Sequence, residues 1–398
     1  MLPLRIVVDG NISHAVSAFG ALPGLAVTLD IAEPVEITPQ RVRSADVLLV
    51  RSSTKVNGKL LDGSRVRFVA TATVGDDHID RSDLAQRGIV FASAAGSSTD
   101  SVVEYVTAAL FALQHDHAMA LPQLTIGVVG VGRIGSKVAR LSQRIGMGLL
   151  CNDPPRAAQG DAEFAWQPLD RLLAESDILT LHTPLLHDGA QATLHLLNAE
   201  NLAHFHGRVV INAGRGAVVD NAALLQWLNG APDRLAVLDC WEHEPQIDRA
   251  LLAHPQVVVA TPHIAGHSLD GKAANTQAVY DALCRFLGVD GAWNMNDELP
   301  VVPSLRWPLL AADAVMGKNR WAEVTAMITQ LYPLANDTEA CRELLKNAHS
   351  EDYAAAFKKM RRHYPVRRGW DRTQFQLQPY DAEVADLARR VGLKIANP

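Results

Sequence analysis

The sequence predicts an α/β protein with two doubly wound parallel sheets and a small α+β region at its C-terminal end. Short runs of apolar, mostly β-branched residues alternate along the chain with segments of helical periodicity, which is typical of parallel sheets covered by helices. One of these runs ends in a glycine-rich loop that leads into a helix. With 398 residues, 48% of them hydrophobic, the chain is long enough to form more than one core.

The first sheet is predicted from four strand-like runs within residues 1–96. Each is short, apolar and separated from the next by polar, helix-compatible sequence: RIVVD (5–9), VLLVR (47–51), VRFVAT (66–71) and GIVFAS (88–93). A long helix is predicted directly after them, over residues 101–116, because its apolar residues recur at spacings of three and four.

The second sheet is predicted from six further runs, again separated by helical segments. They are LTIGVVG (124–130), GLLCND (148–153), DILTLHTP (177–184), RVVINAG (208–214), LAVLDCW (235–241) and VVVATPH (257–263). Beyond Gly288 the composition changes, and the proline-rich, polar residues 294–308 predict a linker. The region after it combines helix-like sequence (340–350) with a basic run (358–370).

The first run of the second series carries a dinucleotide-binding pattern, IGVVGVGRIGSKVARL (126–141). Gly130 permits a tight turn, Gly132 lets a pyrophosphate approach the backbone, and Gly135 lets helix and strand pack closely. Arg133 and Ile134 lie between the last two glycines and are predicted to bind the cofactor with them. This context predicts a Rossmann-like domain; the alternative is a glycine-rich turn in an α/β protein that binds no nucleotide.

An acidic residue follows at the expected distance. Asp153 ends the next strand-like run, 18 residues after Gly135. A carboxylate there accepts hydrogen bonds from ribose hydroxyls and repels a 2′-phosphate, which favours NAD over NADP.

Three later strand ends carry the groups that oxidation of a hydroxy acid requires. Arg215, between two glycines, would bind a carboxylate through its guanidinium fork. His263 would remove the hydroxyl proton, and Glu244 would orient its ring and stabilise the imidazolium. Each has a common alternative as a turn, surface or core residue, so the prediction depends on their order after the glycine loop.

Other function classes are less favoured. The net charge of −6 and pI near 6.2 leave no basic field for nucleic acid or a membrane surface. The four cysteines are far apart with no CxxC, which is typical of the cytoplasm, and no apolar run is long enough to span a bilayer. His263 with His267, and His204 with His206, have metal-like spacings, but no HExxH motif is present and no metal is predicted.

Four stretches resemble the D-isomer-specific 2-hydroxyacid dehydrogenases: VGVGRIG, INAGRGAVVD, the Asp239…Glu244-Pro245 segment and TPHIAG, in that order. The resemblance implies that Arg215, Glu244 and His263 are the catalytic set. It also implies that the NAD-binding domain (97–263) is inserted into a substrate-binding domain (1–96 and 264–288), which explains why the glycine loop comes late in the chain.

Further stretches, including VRSSTKVN (50–57), DPPRA (153–157) and HIAGHSLDGKA (263–273), resemble one member of that family. That member oxidises a phosphorylated 2-hydroxy acid, and its C-terminal domain, matched here to residues 289–398, forms a homodimer. The resemblance implies two sets of site residues: substrate-binding Ser52, Thr73 and His267, and cofactor-binding Asp153, Thr183, Asp239 and Gly266.

The phosphate would need a cation remote from Arg215, and Arg51 is the candidate, with Lys55 as the weaker one. Ser98 and His267 replace residues usual in that member, Asn and Tyr. A different 2-hydroxy acid, such as phosphoglycerate or glycerate, and a non-catalytic NAD-sensing role therefore stay open.

One arginine of the basic run is also a candidate for reaching a partner subunit's phosphate pocket; the alternatives are a solvated or subunit-contacting face.

Overall fold

The computed structural model describes residues 3–309, 320–347 and 352–397. Two compact units account for it. The first unit consists of the described residues up to Thr99 together with Ser268–Val301, and the second consists of Asp100–His267 with the described residues from Val302 onwards.

The first unit is a five-stranded, all-parallel sheet with strand order β2-β1-β3-β4-β5, a doubly wound arrangement. Its strands are β1 (Leu4–Asp9), β2 (Val27–Ala32), β3 (Val47–Val50), β4 (Phe68–Thr71) and β5 (Val90–Ser93). Strand β2 lies in a polar stretch that was predicted to be compatible with a helix. It is an edge strand with only its last residue fully buried, so it lacks the continuous apolar run that marks the other strands.

The helices of the first unit are α1 (Ala15–Phe19), α2 (Pro39–Val42), α3 (Gly58–Leu61), α4 (Arg81–Gln86), α12 (Leu269–Leu287) and α13 (Met295–Glu298). Helix α12 is the return segment, and it packs Val279, Tyr280 and Leu283 into the core formed by β1, β3 and β4. Its N-terminus is capped by Ser268, whose hydroxyl accepts from the amide of Gly271 at 2.8 Å.

The second unit has a six-stranded parallel sheet with order β11-β10-β9-β8-β6-β7. All six predicted strands form: β6 (Thr125–Val129), β7 (Gly148–Asn152), β8 (Ile178–Leu181), β9 (Val209–Asn212), β10 (Leu235–Leu238) and β11 (Val257–Ala260). The prediction of doubly wound α/β sheets is confirmed.

Helices cover the six strands. They are α5 (Thr99–Asp116), α6 (Arg133–Ile145), α7 (Pro154–Ala158), α8 (Leu169–Glu175), α9 (Ala199–Ala203), α10 (Asn221–Asn229) and α11 (Arg249–Ala253). Helix α5 is the long helix predicted from the three- and four-residue spacing of apolar residues. Its segment 105–111 contributes most of its residues to the hydrophobic core.

The described residues of the C-terminal region form a third, three-stranded parallel sheet, β12-β13-β14, together with four helices. The elements are β12 (Leu305–Pro308), α14 (Trp321–Leu331), α15 (Leu334–Asn347), α16 (Tyr353–Arg362), β13 (Gln374–Gln378), α17 (Ala382–Arg390) and β14 (Lys394–Ile395). The prediction of a linker over 294–308 is therefore wrong at both ends, where α13 and β12 form. Pro308 is compatible with a strand because β12 is an edge strand. Residues 348–350 of the predicted helical segment lie outside the described residues.

This C-terminal region shares one hydrophobic core with the six-stranded sheet. Phe111 of α5 packs against Trp321 with ring centroids 5.4 Å apart, and Tyr105 packs against Tyr332 at 6.0 Å. The packing explains why these residues belong to the second unit, whereas a separate domain that dimerises stays a prediction. In the described part of the chain, no helix is both long enough and apolar enough to cross a membrane.

Candidate active site

The glycine loop connects β6 to α6 and is shaped by close contacts. Gly130 has a φ of +80°, and a Cβ there would lie 2.7 Å from the amide nitrogen of Thr183. A Cβ at Gly135 would lie 2.1 Å from the carbonyl oxygen of Gly130. Gly132 differs, because among the described residues no atom outside its own stretch of backbone lies within 4 Å of its Cβ position. The space beside Gly132 is thus available to a ligand, as the sequence predicted for a pyrophosphate.

Two features beside this loop fit a dinucleotide. Helix α6 begins directly after Gly132, without a side-chain cap and without an acidic residue in its first turn, so its first amides can face an anion. The hydroxyl of Thr183, which follows β8, is buried and has no hydrogen-bond partner among the described residues. Thr183, Gly130, Gly132 and Gly135 therefore fit the cofactor, whereas roles for exposed Arg133, half-buried Ile134 and Gly266 stay predictions.

Asp153 caps α7 and also binds the glycine loop. One carboxylate oxygen accepts from the amide of Arg156 at 3.1 Å, and the other accepts from the amide of Val131 at 2.8 Å. The carboxylate is thus held beside the loop, although its role towards a ribose stays a prediction.

The two residues predicted to act as an acid–base pair, His263 and Glu244, are in contact. His263 Nδ1 and Glu244 Oε2 are 2.8 Å apart, and the other carboxylate oxygen, Oε1, accepts from the amide of Trp241 at 2.7 Å. Burial alone would raise the pKa of Glu244, but the His263 ring, Arg361 and the Trp241 amide hold it below its usual value. Glu244 is therefore ionised and suited to stabilising a protonated His263 ring.

Asp239 organises the loop that carries His263. It is fully buried, and its carboxylate accepts from the Thr261 hydroxyl (2.7 Å) and from the amides of Ile264 (2.6 Å) and Ala265 (3.0 Å). His263 itself has a φ of +57°, a conformation that this loop must stabilise. The contacts assign Asp239 a positioning role, and its predicted contact with the cofactor stays a prediction.

Arg215 lies in a tight turn after β9. A Cβ at Gly216 would lie 1.9 Å from the carbonyl oxygen of Trp241, so only glycine fits next to Arg215. Asn212 fixes the turn by donating to the carbonyl of Arg215 at 3.0 Å, while its oxygen accepts from the amide of Gly214 at 3.2 Å. Asn212 was not predicted as a site residue, although a polar residue near the end of a predicted strand was a usable signal.

Cys240 connects these groups. Its Sγ donates to the carbonyl of Gly214 at 3.3 Å, next to Arg215, and also lies within 4.8 Å of donor atoms of Glu244 and His263. The Arg215 turn and the His263–Glu244 pair are therefore neighbours at the carboxyl ends of the adjacent strands β9, β10 and β11.

The C-terminal region adds a residue to this site. The Nε atom of Arg361, in the last turn of α16, donates to the backbone carbonyl of His263 at 3.1 Å. Arg367 has a different use, since its buried guanidinium pairs with Glu104 and lies over the ring of Tyr332. Arg361 and Arg367 of the basic run thus contact residues of their own chain.

The first unit contains the predicted substrate-binding residues other than His267. Ser52 is exposed after β3, and the Thr73 hydroxyl after β4 donates to the carbonyl of Gly75 at 2.8 Å. Arg51 lines a pocket of about 180 Å³, and the second cation there is Lys272 of α12. Lys55, the weaker sequence candidate, is exposed and does not line this pocket.

The two departures from the expected pattern differ in burial. Ser98 is buried, and His267 is half-buried directly before the Ser268 cap. The role of His267 towards a substrate stays a prediction.

Residues 99–265 match the family model described as the D-isomer specific 2-hydroxyacid dehydrogenase NAD binding domain. Over nearly its full length the chain is also similar to proteins named erythronate-4-phosphate dehydrogenase. The protein of Edwardsiella ictaluri is 42% identical over 373 residues, which cover 93% of this chain and 94% of that relative. The protein of Azotobacter vinelandii is 40% identical, with 98% and 99% covered.

Solved structures support the same fold. A D-lactate dehydrogenase of Aquifex aeolicus, complexed with NAD and lactic acid, superposes with a TM-score of 0.61 at 24% identity, over 71% of this chain and 95% of that one. An NAD⁺-bound 3-phosphoglycerate dehydrogenase of Entamoeba histolytica gives the same TM-score at 21% identity, over 72% and 96%. The chain belongs to the D-isomer specific 2-hydroxyacid dehydrogenases, and within them to the erythronate-4-phosphate dehydrogenases, with an NAD-binding domain in its second unit.

Proposed function

We propose that this protein oxidises 4-phospho-D-erythronate at C2 with NAD, giving 2-oxo-3-hydroxy-4-phosphobutanoate for the biosynthesis of pyridoxal phosphate. The observation that carries the proposal is the hydrogen-bonded His263–Glu244 pair next to the Arg215 turn, at the strand ends of an NAD-binding domain. The names of the relatives support the choice of substrate.

In this reaction Arg215 binds the substrate carboxylate through its guanidinium. His263 accepts the C2 hydroxyl proton on Nε2, while Nδ1 continues to face Glu244, so that the ring becomes an imidazolium paired with a carboxylate. NAD bound at the glycine loop would supply the acceptor for the hydride from C2. Asp239 and Arg361 hold the backbone of the His263 loop while the proton moves.

The phosphate is proposed to bind in the pocket of the first unit. Arg51 and Lys272 supply two positive charges there, and Ser13, Asn275 and Thr276 supply neutral polar groups. Ser52, Thr73 and His267 are the proposed contacts to the rest of the substrate.

The test is NADH formation with 4-phosphoerythronate, 3-phosphoglycerate and glycerate as substrates. We expect turnover with 4-phosphoerythronate and at least about 100-fold lower kcat/KM with glycerate, since losing two charge-assisted contacts removes about 3 kcal/mol or more. Higher kcat/KM with 3-phosphoglycerate would assign a different substrate. NADH binding without turnover of any substrate would favour a sensor.

The phosphate assignment has its own control. Lys272→Ala and Arg51→Ala should each raise KM for 4-phosphoerythronate while the KM for NAD stays constant. The matched variant Lys55→Ala, at an exposed position, should leave both unchanged. An unchanged KM in Arg51→Ala and Lys272→Ala would place the phosphate elsewhere.

Two further properties are part of the proposal. A homodimer formed through the C-terminal region is proposed from the resemblance of that region to a dimerisation domain, and sedimentation velocity tests it. A cytoplasmic location fits the four cysteines, all of which are buried and unpaired.

A further inference from the structure

Cys240 has no part in the proposed reaction, yet its thiol lies among the groups that carry it. The side chain is 1% exposed, and its Sγ lies within 4.8 Å of a carboxylate oxygen of Glu244 and a ring nitrogen of His263. Among the described residues this is the one group of three Cys, His, Asp or Glu donors gathered closely enough to hold a metal ion. A thiol, an imidazole and a carboxylate are together typical ligands of Zn²⁺.

The geometry needs little adjustment to bind an ion. Tetrahedral zinc bonds of ordinary length place their donor atoms roughly 3.3 to 3.7 Å apart. His263 Nδ1 and Glu244 Oε2 are 2.8 Å apart and would separate slightly, while Sγ, which lies within 4.8 Å of both, would approach by at most about 1.5 Å. The His263 and Glu244 side chains are 29% and 20% exposed, so an ion has a route to the cluster from solvent.

We propose that Cys240, Glu244 and His263 form an inhibitory site for Zn²⁺. The ion takes the place of the proton between His263 Nδ1 and Glu244 Oε2 and bonds to both atoms, to the Cys240 thiolate and to a water molecule. The ring proton of His263 moves from Nδ1 to Nε2 by exchange with solvent, so the imidazole stays neutral, and the thiol proton leaves to solvent. Nε2 then carries a proton and cannot accept another, so proton removal from any 2-hydroxy acid stops.

Some charged groups near the cluster favour the binding of a cation, and others oppose it. The carboxylate of Asp239 lies 4.0 Å from the Cys240 Sγ and, with Glu244, favours a cation. Arg215 and Arg361 oppose it. Because the ion must displace the thiol proton and faces two arginines, we expect reversible binding rather than a permanently held metal.

The first test uses Co²⁺ as a spectroscopic probe on the full-length protein without substrate or NAD. The wild type should develop a thiolate-to-cobalt charge-transfer band that saturates at one equivalent. Cys240→Ala and the nearly isosteric Cys240→Ser should lack it, whereas Cys284→Ala, which removes another buried thiol, should retain it. No band in the wild type, or a band in both Cys240 variants, would overturn the proposal. Circular dichroism shows which of the two Cys240 variants is folded, and only a folded variant is used to judge the proposal.

The second test measures inhibition by Zn²⁺ of NADH formation, each variant being compared with its own rate in EDTA. Wild type and Cys284→Ala should lose activity and recover it when EDTA is added. The folded Cys240 variant should need at least about tenfold more Zn²⁺ for the same fractional loss. Equal sensitivity would overturn the proposal. The cobalt band does not require turnover, so a wrong substrate assignment leaves that test valid.

Discussion

The carboxylate of Glu244 accepts two hydrogen bonds, one on each oxygen. Replacing Glu244 by glutamine leaves only one of these oxygens as an acceptor. Oε2 faces His263 Nδ1 at 2.8 Å, and Oε1 faces the amide of Trp241 at 2.7 Å. Glutamine offers one oxygen and one NH₂ group. In Glu244→Gln, either the Trp241 amide or the His263 Nδ1–H therefore faces another donor.

The substitution is expected to lower both the stability of the protein and its kcat, which are measured separately. An unsatisfied buried donor lowers the free energy of unfolding by about 1–3 kcal/mol. Loss of the charge-assisted bond to the imidazolium removes about 1.5–3 kcal/mol of transition-state stabilisation, which lowers kcat about 10- to 150-fold. We expect both changes in Glu244→Gln, measured by urea unfolding and by steady-state NADH formation, with little change in NADH affinity by fluorescence.

Glu242 provides a matched control in the same loop. Its carboxylate also contacts a histidine, His195 Nε2 at 2.5 Å, and accepts from a backbone amide, that of Asn221, at 3.1 Å. Glu242→Gln should lose comparable stability but retain kcat within about twofold, because neither partner belongs to the proposed site. A Glu244→Gln kcat within threefold of wild type, or an equal loss in Glu242→Gln, would refute the reasoning.

Four further predictions concern single residues. His263→Asn should lower kcat by about 10²- to 10⁴-fold while NADH fluorescence titrations show unchanged binding, and a near-normal kcat would exclude it as the base. Asp153→Asn keeps an acceptor for the glycine loop but removes a charge worth on the order of 1 to 4 kcal/mol, so the ratio of kcat/KM for NAD over NADP should fall at least about fivefold. Arg361→Ala should lower kcat about three- to tenfold through one lost hydrogen bond to the His263 carbonyl, whereas Arg362→Ala, at an exposed position on the same helix, should change kcat less than twofold. Burial lowers the pKa of His182 from 6.5 to about 4, so between these pH values the unfolded chain binds a proton that the folded chain does not. The free energy of unfolding should therefore be highest above pH 6.5 and fall by up to about 3 kcal/mol as the pH drops towards 4. Urea unfolding at both ends of this range should show a smaller fall in His182→Asn.

The six strands of the second unit, the glycine loop and the order of Arg215, Glu244 and His263 were all readable from the sequence. Each is a local signal: an apolar run of strand length, glycines at fixed spacing, and a polar residue where a strand ends. In a parallel sheet these strand ends meet at one edge, so the proximity of the three predicted catalytic residues follows from the strand pattern.

Other features were not readable because they depend on contacts between distant parts of the chain. Strand β2 is half-exposed, and β12 contains proline, so both lack a local strand signal. Lys272, rather than the nearby Lys55, joins Arg51 in a pocket because α12 packs back onto the first sheet.

By itself, the sequence determined which chemistry this protein can perform, because the residue types and their order at strand ends specify it. Only the tertiary structure decided which residues support that chemistry. Packing of α16 brings Arg361 to the His263 carbonyl, and the adjacency of β9 and β10 brings the Cys240 thiol to the Gly214 carbonyl next to Arg215. Contacts of this kind join residues far apart in sequence and are set by the packing of whole helices and strands, which no local pattern encodes.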